Sequence, residues 1–238
     1  MGGDVMAWQI SRTRGRVSSV LVPAYFHPDA PEWADLTDER LKWVVFNIAS
    51  GPGSVRDRAW AAVANRLAAN GVELAGYIDT AYGDRPPEDI EDEVARYRKW
   101  YGIRTAFMDQ VSAIAGHVPR YCRAVAAAQG RGAECVVLNH GIYPDPAYAR
   151  LADMLVTFEG PWSAYQHFRP PAWAARVPAE TFCHLVYAAP QAVLAGALAR
   201  AGRGNAGSVY VTDRAGANPW SGLPDYFDRE MDLVYPDR

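Results

Sequence analysis

Short runs of hydrophobic residues alternate with amphipathic segments along nearly the whole chain. The runs are rich in valine, isoleucine, leucine and aromatic residues, and they cover 18–26, 42–48, 72–78, 103–108, 134–139, 153–158, 182–188 and 207–213. Near-continuous apolar runs of this length are typical of strands buried on both faces, as in a parallel sheet covered by helices. An antiparallel sheet would show a cleaner alternation of apolar and polar residues. The pattern therefore predicts eight parallel strands.

Helical patterns lie between these predicted strands. They cover 55–70, 87–101, 113–129 and 190–201, with a short helix at 144–151 and a segment that is mostly loop at 160–178. Proline at the start and glycine at the end of the 87–101 segment, Pro87 and Gly102, match the usual asymmetry of helix termini.

Eight strand–helix units in 238 residues favour an α/β fold, a single (β/α)8 TIM barrel. We expect one domain over 1–238, with 1–17 as an N-terminal extension. A doubly wound open sheet is the alternative, but the glycine-rich phosphate-binding fingerprint that it often carries is missing after the first strand.

Composition and charge narrow the range of partners. The chain is 50% hydrophobic and 21% charged, with a net charge of -3, so it is globular and has no basic excess of the kind that binds nucleic acid. No apolar run reaches the length that crosses a bilayer. Arginines interrupt the first twenty residues, so no secretory leader is evident, and we expect a cytoplasmic protein, or a secreted one if a leader has been removed. The oligomeric state stays open.

Polar and aromatic residues gather where the predicted strands end. In a (β/α)8 barrel the catalytic groups come from the carboxyl ends of the strands. The candidates are Tyr25, His27, Asn47, Ser50, Tyr77, Asp79, Tyr82, Asp109, Gln110, Asn139, His140, Glu159, His184, Tyr187, Asp213 and Asn218. Aromatic rings stack on the apolar face of a sugar, while amides and carboxylates bind its hydroxyl groups. The set therefore favours a sugar pocket.

Two carboxylates directly follow strongly apolar strands, Asp109 and Glu159. Glycoside cleavage needs such a pair, one to protonate the leaving oxygen and one to act as nucleophile or base. A helix cap or a salt bridge is the alternative role for each of them. We expect Glu159 to be the proton donor, with a pKa raised by burial and by the charge of Asp109.

The histidines do not suggest a metal site. His27, His140 and His184 follow three separate strands without the close spacing of metal ligands, so a zinc-dependent deacetylase is the less favoured alternative. A Ser-His-Asp hydrolase is not favoured either, since the chain has no GxSxG motif.

Several ordered motifs resemble the spherulin-4 family. They are VPAYFHP (22–28), NIASGPG (47–53), GYIDTAYGDR (76–85), FMDQV (107–111), LNHGIYPDPAY (138–148), VTFEGPW (156–162) and TDRAGANPWSGLPDYF (212–227). The resemblance runs from about Val20 to Phe227. It implies a (β/α)8 barrel of the glycoside hydrolase type that acts on galactosamine-containing polymers, with no metal or organic cofactor.

The resemblance also assigns individual positions. The family's fourth strand usually ends in an acidic pair; Asp109 matches the aspartate, and Gln110 stands where the family has glutamate. Glu159 matches the second carboxylate, and the resemblance places Asp213, Asn218 and Trp220 beside the eighth strand.

The residues predict a glycoside hydrolase, and the resemblance implies that it cleaves an amino-sugar-containing glycan of the galactosamine or N-acetylgalactosamine type. Because Gln110 replaces an acid, a non-hydrolytic carbohydrate-binding or otherwise repurposed barrel is the first alternative. A tailoring enzyme that acts on a small glycosylated metabolite is the second. The expected partner is in each case a carbohydrate or a glycosylated small molecule.

Overall fold

Eight parallel strands close into one barrel in the computed structural model, which describes residues 15–236. The strands are β1 (Ser19–Ala24), β2 (Trp43–Phe46), β3 (Glu73–Asp79), β4 (Thr105–Asp109), β5 (Cys135–Asn139), β6 (Met154–Pro161), β7 (Phe182–Tyr187) and β8 (Ser208–Val211). They pair in chain order, and β8 pairs with β1 to complete the circle. The predicted (β/α)8 barrel is confirmed, and the open sheet is excluded. Residues 1–14 of the expected N-terminal extension lie outside the described residues.

Helices cover the outer side of the barrel. They are α1 (Arg58–Ala69), α2 (Pro87–Tyr101), α3 (Val118–Gly130), α4 (Trp162–Tyr165), α5 (Leu194–Arg203) and α6 (Phe227–Val234). The short helix expected at 144–151 is a 3-10 helix at Pro146–Arg150, and α6 has no counterpart in the prediction. Within residues 15–236, no helix has both the length and the apolar character that a membrane span requires.

The barrel strands are buried almost throughout, as their continuous apolar runs predict. All four residues of β2 and of β8 are buried. One close approach fixes α2 against β3: a Cβ atom on Gly76 would lie 2.5 Å from the ring of Tyr97, so glycine lets that ring pack directly on the strand backbone. The Tyr97 hydroxyl then donates to the carbonyl oxygen of Phe46 at 3.0 Å, and this bond ties α2 to β2 as well.

Candidate active site

A cavity of about 580 Å³ opens at the carboxyl ends of the barrel strands. Its wall is formed by Tyr25, Asn47, Ile48, Ser50, Tyr77, Asp109, Asn139, Glu159, Leu185, Tyr187, Gly216, Ala217, Asn218, Pro219 and Trp220. These residues come from all eight strands or from the loops that directly follow them. The cavity therefore lies where a (β/α)8 barrel carries its catalytic groups.

One amide nitrogen joins the two predicted catalytic carboxylates. Nδ2 of Asn139 donates to Oδ1 of Asp109 at 2.7 Å and to Oε2 of Glu159 at 2.6 Å. Because both bonds meet at one nitrogen, the two accepting oxygens are at most about 5.3 Å apart. The amide orientation is fixed on its other side, where Oδ1 of Asn139 accepts from the backbone N–H of Gly141 at 3.0 Å. Asn139 thus presents its donor, and not its acceptor, to the carboxylates.

The backbone of Gly141 also positions Glu159. Its carbonyl oxygen accepts from the N–H of Glu159 at 3.0 Å, while its N–H reaches Asn139. Gly141 has a φ of 64°, in the left-handed region that glycine adopts without strain. The short loop after β5 therefore fixes the side chain of Asn139 and the backbone of Glu159 relative to each other.

A bulge in β6 turns the side chain of Glu159 toward the cavity. The pairing of β6 with β7 shifts by one residue between Val156 and Phe158, and beyond the shift Glu159 pairs with Leu185. Leu185 lines the cavity, so Glu159 shares its face. Without the shift, Glu159 would pair with Val186 instead of Leu185. Adjacent strand residues point to opposite faces, so the side chain of Glu159 would then point away from the cavity. Bulges of this kind often re-aim a side chain beside an active site.

Burial raises the pKa of both carboxyls. For Glu159, desolvation is the main cause and the charge of Asp109 adds to it, while hydrogen bonds from Asn139 and Trp220 act in the opposite direction. For Asp109, desolvation again raises the pKa, and the charge of Asp79 adds a smaller contribution. The raised pKa expected for Glu159 is confirmed, with both of the expected causes.

The two carboxyls differ in how many donors they receive. Asp109 accepts from the backbone of Gln110, from the Tyr77 hydroxyl and from Asn139, and each bond favours its ionised form. Glu159 receives the side chains of Asn139 and Trp220 and is the more deeply buried of the pair. Asp109 is accordingly better suited to hold a negative charge, and Glu159 to keep a proton.

Two pairs of aromatic rings stand in the cavity wall together with the carboxylates. Tyr25 and Tyr77 pack edge to face with their centroids 5.7 Å apart. Tyr187 and Trp220 do the same at 6.0 Å. All four rings line the cavity, and such rings can stack on the apolar face of a sugar.

Gln110 lies beside the cavity and binds Asp79. It is the first residue after β4 and has a φ of 52°, which ends the strand. Its Nε2 donates to Oδ2 of Asp79 at 3.0 Å, and Oδ1 of Asp79 accepts from the backbone N–H of Ala81 at 2.7 Å. The amide of Gln110 therefore gives a neutral donor to a neighbouring carboxylate.

The structure brings ten of the seventeen predicted site residues into the cavity wall. Those in the wall are Tyr25, Asn47, Ser50, Tyr77, Asp109, Asn139, Glu159, Tyr187, Asn218 and Trp220. Those outside it are His27, Asp79, Tyr82, Gln110, His140, His184 and Asp213. Asn218 helps to shape the wall, since its Oδ1 accepts from the backbone N–H of Trp220 at 3.0 Å.

The expectation that His184 faces the mouth is wrong. Its neighbour Leu185 lines the cavity, and adjacent strand residues point to opposite faces. His184 is 1% exposed, and its Nδ1 lies 2.8 Å from the Tyr165 hydroxyl on the outer side of β7. Burial lowers its pKa to about 3, so the ring is neutral near neutral pH.

Three further candidates lie on the surface away from the wall. Asp213 is exposed, Tyr82 is 61% exposed, and His27 makes an exposed contact with Asp29. Contacts between these residues and a bound substrate stay predictions.

Some residues of the cavity wall were not predicted from the sequence. Leu185 was missed because a leucine in an apolar run looks like any core residue, although its position two residues before Tyr187 places both on one face. Ile48 and Pro219 carry no chemical signal in the sequence. In the part of the chain that the structure describes, no group of three or more His, Cys, Asp or Glu residues is arranged to hold a metal ion.

Comparison with known sequences identifies a family match. Residues 19–234 match the sequence profile of the spherulation-specific family 4. Spherulin-4 of Physarum polycephalum is 27% identical over 95% of this chain and 73% of its own length.

Comparison with solved structures returns (β/α)8 barrels. Sph3 of Aspergillus clavatus, whose crystal structure is a complex with GalNAc, has a TM-score of 0.81 at 24% identity, over 93% of this chain and 98% of its own. A chitinase of Rhizomucor miehei has a TM-score of 0.58 at 11% identity, over 90% of this chain and 99% of its own. At these identities the likeness establishes the fold.

Proposed function

The chain belongs to the spherulation-specific family 4, and from this membership and its cavity we propose that it is a glycoside hydrolase acting on glycans that contain galactosamine or N-acetylgalactosamine. The observation that carries the proposal is the pair of carboxylates held by one amide, Asp109 and Glu159 on Asn139. The GalNAc bound to Sph3, which shares this fold, supports the choice of sugar.

The environments of the two carboxyls suggest a division of roles. Glu159, buried and next to a negative charge, keeps its proton and donates it to the glycosidic oxygen as that bond breaks. Asp109, whose three donors favour the ionised form against the effect of burial, attacks the anomeric carbon and forms a glycosyl ester. Glu159, now ionised, then takes a proton from the water that cleaves the ester, which restores both groups.

The spacing of the pair favours retention of configuration. The accepting oxygens lie at most about 5.3 Å apart. Carboxyl groups in retaining glycosidases are roughly 5–5.5 Å apart, whereas inverting enzymes keep them about 6.5–9.5 Å apart to hold a water between them. We therefore propose the retaining route.

The charge of the cavity favours a cationic or neutral sugar. Two carboxyls stand in the wall, Asp79 lies beside it, and no lysine or arginine lines the cavity among residues 15–236. A uronic acid or a sulfated sugar would be repelled, whereas the ammonium group of free galactosamine would be attracted. This balance supports an amino sugar.

A non-hydrolytic carbohydrate-binding barrel is the second candidate, and the position of Gln110 favours it. Glutamine retains the shape of glutamate but cannot carry charge or donate a proton as an acid. If hydrolysis required an acid at that position, the cavity would still bind sugar through its rings and amides.

Product analysis tests the proposal. Wild type is incubated with galactosamine oligomers, fully and partly N-acetylated, and shorter products are sought by mass spectrometry. The anomer formed first is identified by ¹H NMR before mutarotation. Shorter products that keep the substrate's anomeric configuration would support the retaining hydrolase. If wild type is inert on every oligomer and Gln110→Glu cleaves them, the binding barrel is the correct function.

A further inference from the structure

A second cavity, of about 280 Å³, lies on the outer side of the barrel. It is formed between β7, the last turn of α5 and the loop that follows α4, and it shares no wall residue with the first cavity. The wall residues that bear on its chemistry are Tyr165, Phe168, Arg169, His184, Arg200 and Arg203.

Three arginines from two separate segments meet at this cavity. Arg200 and Arg203 stand in the last turn of α5, where cations complement the helix dipole. Arg169 comes from the loop after α4, and its Nη1 donates to the backbone carbonyl of Phe168 at 2.9 Å. Within residues 15–236, none of the three has a carboxylate ion-pair partner, and no Asp or Glu lines the cavity. The helix dipole explains the two arginines at the end of α5, but it does not explain why Arg169 lines the same cavity.

A buried histidine lines the same cavity. His184 is 1% exposed and lines the wall. Its Nδ1 is 2.8 Å from the Tyr165 hydroxyl, while its Nε2 has no hydrogen-bond partner among the described residues. With the hydroxyl as donor to Nδ1, the neutral ring carries its hydrogen on Nε2. A buried donor without an acceptor is costly, so the cavity is expected to receive an acceptor.

We propose that this cavity binds a small phosphate-bearing molecule, with the phosphate oxygens held by Arg200, Arg203 and Arg169 and by Nε2 of His184. Guanidinium groups match phosphate oxygens in geometry and charge, and three of them suit a dianion better than a monoanionic carboxylate. An anion here would also relieve the repulsion among the three cations.

The size of the cavity indicates more than a bare ion. Its volume is close to the lower end of the range for small-molecule sites, about 300–1,000 Å³. The ring of Phe168 forms part of the wall and offers an apolar surface to the organic part of a phosphate ester. A phosphate monoester of sugar size therefore fits the site better than inorganic phosphate.

Titration of the full chain with sodium phosphate tests the site. Sodium sulfate and sodium acetate are titrated at matched ionic strength, and the imidazole signals of the five histidines are followed by NMR. We expect a saturable shift of the His184 signal with phosphate, a smaller effect with acetate, and a rise in melting temperature that saturates with it. If no saturable shift of the His184 signal occurs with phosphate or sulfate, the proposal is overturned.

Arginine variants test whether phosphate binds in this cavity. Arg200→Gln and Arg203→Gln each remove one guanidinium from the cavity and are expected to weaken phosphate binding at least tenfold. Arg123→Gln, an exposed change on α3 with no ion pair in the described structure, is the control and should bind as wild type does. Equal binding in all three variants would contradict the proposal.

A third comparison identifies the source of the phosphate. Glucose 6-phosphate is titrated against inorganic phosphate under the same conditions. Binding that is at least tenfold tighter for the ester supports a sugar-phosphate ligand. Equal affinity supports the phosphate site but overturns the role of Phe168. None of these readouts depends on glycan cleavage, so the site stands or falls independently of the proposed hydrolase.

Discussion

The side-chain nitrogen of Asn139 lies 2.6 Å from Oε2 of Glu159, and the same amide takes its orientation from the backbone of Gly141. The contact couples the last residue of β5 to a carboxyl on β6. A donor in this place stabilises the ionised form of Glu159, while burial acts against it. Burial outweighs the hydrogen bond, so the pKa of Glu159 is raised, and a change in a neighbouring donor should shift it.

Replacing the bridging amide should disable the site without disturbing the barrel. Asn139→Asp removes the donor and adds a third carboxyl between two others, so both carboxyls lose a stabilising partner. We expect kcat/KM on a cleavable oligomer to fall by roughly 10²–10³, the loss typical of a donor that acts on developing charge. Asn70→Asp, at the exposed end of α1, is the control and should leave kcat/KM unchanged. Full activity in Asn139→Asp would show that the bridge is dispensable.

The indole of Trp220 should set the alkaline limb of the pH profile. Its side-chain hydrogen bond lowers the pKa of Glu159, so Trp220→Phe, which keeps a ring but removes the N–H, should raise that pKa further. A proton donor with a higher pKa stays protonated to higher pH, and the alkaline limb of kcat/KM should move upward. Trp173→Phe, outside the cavity, should leave the limb where it is. A shift to lower pH in Trp220→Phe would contradict this role.

The ionisation of Glu159 should destabilise the folded protein at neutral pH. The pKa of Glu159 is raised in the folded state. Its favourable contribution to the free energy of unfolding is therefore complete below the pKa of the unfolded state, about 4.3, and is lost as the pH rises through the pKa of the folded state. Glutamine does not titrate. Glu159→Gln should therefore unfold at a higher urea concentration than wild type at pH 7, with the difference shrinking toward pH 4.

An exposed glutamate gives the control for this measurement. Glu134→Gln removes a surface carboxyl paired with Arg104 and should show no such growth of stability with pH. If Glu159→Gln were less stable than wild type at pH 7 and equal to it at pH 4, the carboxyl would be stabilising as an anion, contrary to our account.

Gln110 should tune the choice between acetylated and free amino sugar. Gln110→Glu puts a second carboxyl next to Asp79, where the amide now donates at 3.0 Å, and adds negative charge beside the cavity. We expect the ratio of kcat/KM for deacetylated over acetylated oligomers to rise by about tenfold near neutral pH. Gln166→Glu, an exposed change after α4, serves as control. An unchanged ratio in Gln110→Glu would remove this residue from substrate selection.

The sequence predicted the barrel well because its strands are continuous apolar runs and its helices carry clear ends. The helix predicted at 87–101 has those bounds in the structure, since Pro87 starts it and Gly102 ends it in the left-handed conformation. Helix α6 was missed because it is short and Tyr226 before it provides no side-chain cap.

The site was predicted in part, for a reason that the strands themselves explain. Asp109 and Asn139 are the last residues of β4 and β5, and Glu159 lies two residues before the end of β6, so their positions predict the mouth of the barrel. His184 was misplaced because a strand buried on both faces gives no alternation from which its direction can be read. The bulge between Val156 and Phe158, which turns Glu159 inward, leaves no mark in a single sequence.

The most direct test of the carboxylate pair compares initial rates of oligomer cleavage in wild type, Asp109→Asn and Glu159→Gln. Both variants keep the size of the side chain and its contact with Asn139 while removing the acid. Asp145→Asn, a helix-capping change outside the cavity, is the control. We predict that each cavity variant loses at least 10³-fold in rate and that the control keeps the wild-type rate. A rate within tenfold of wild type in either cavity variant would contradict it.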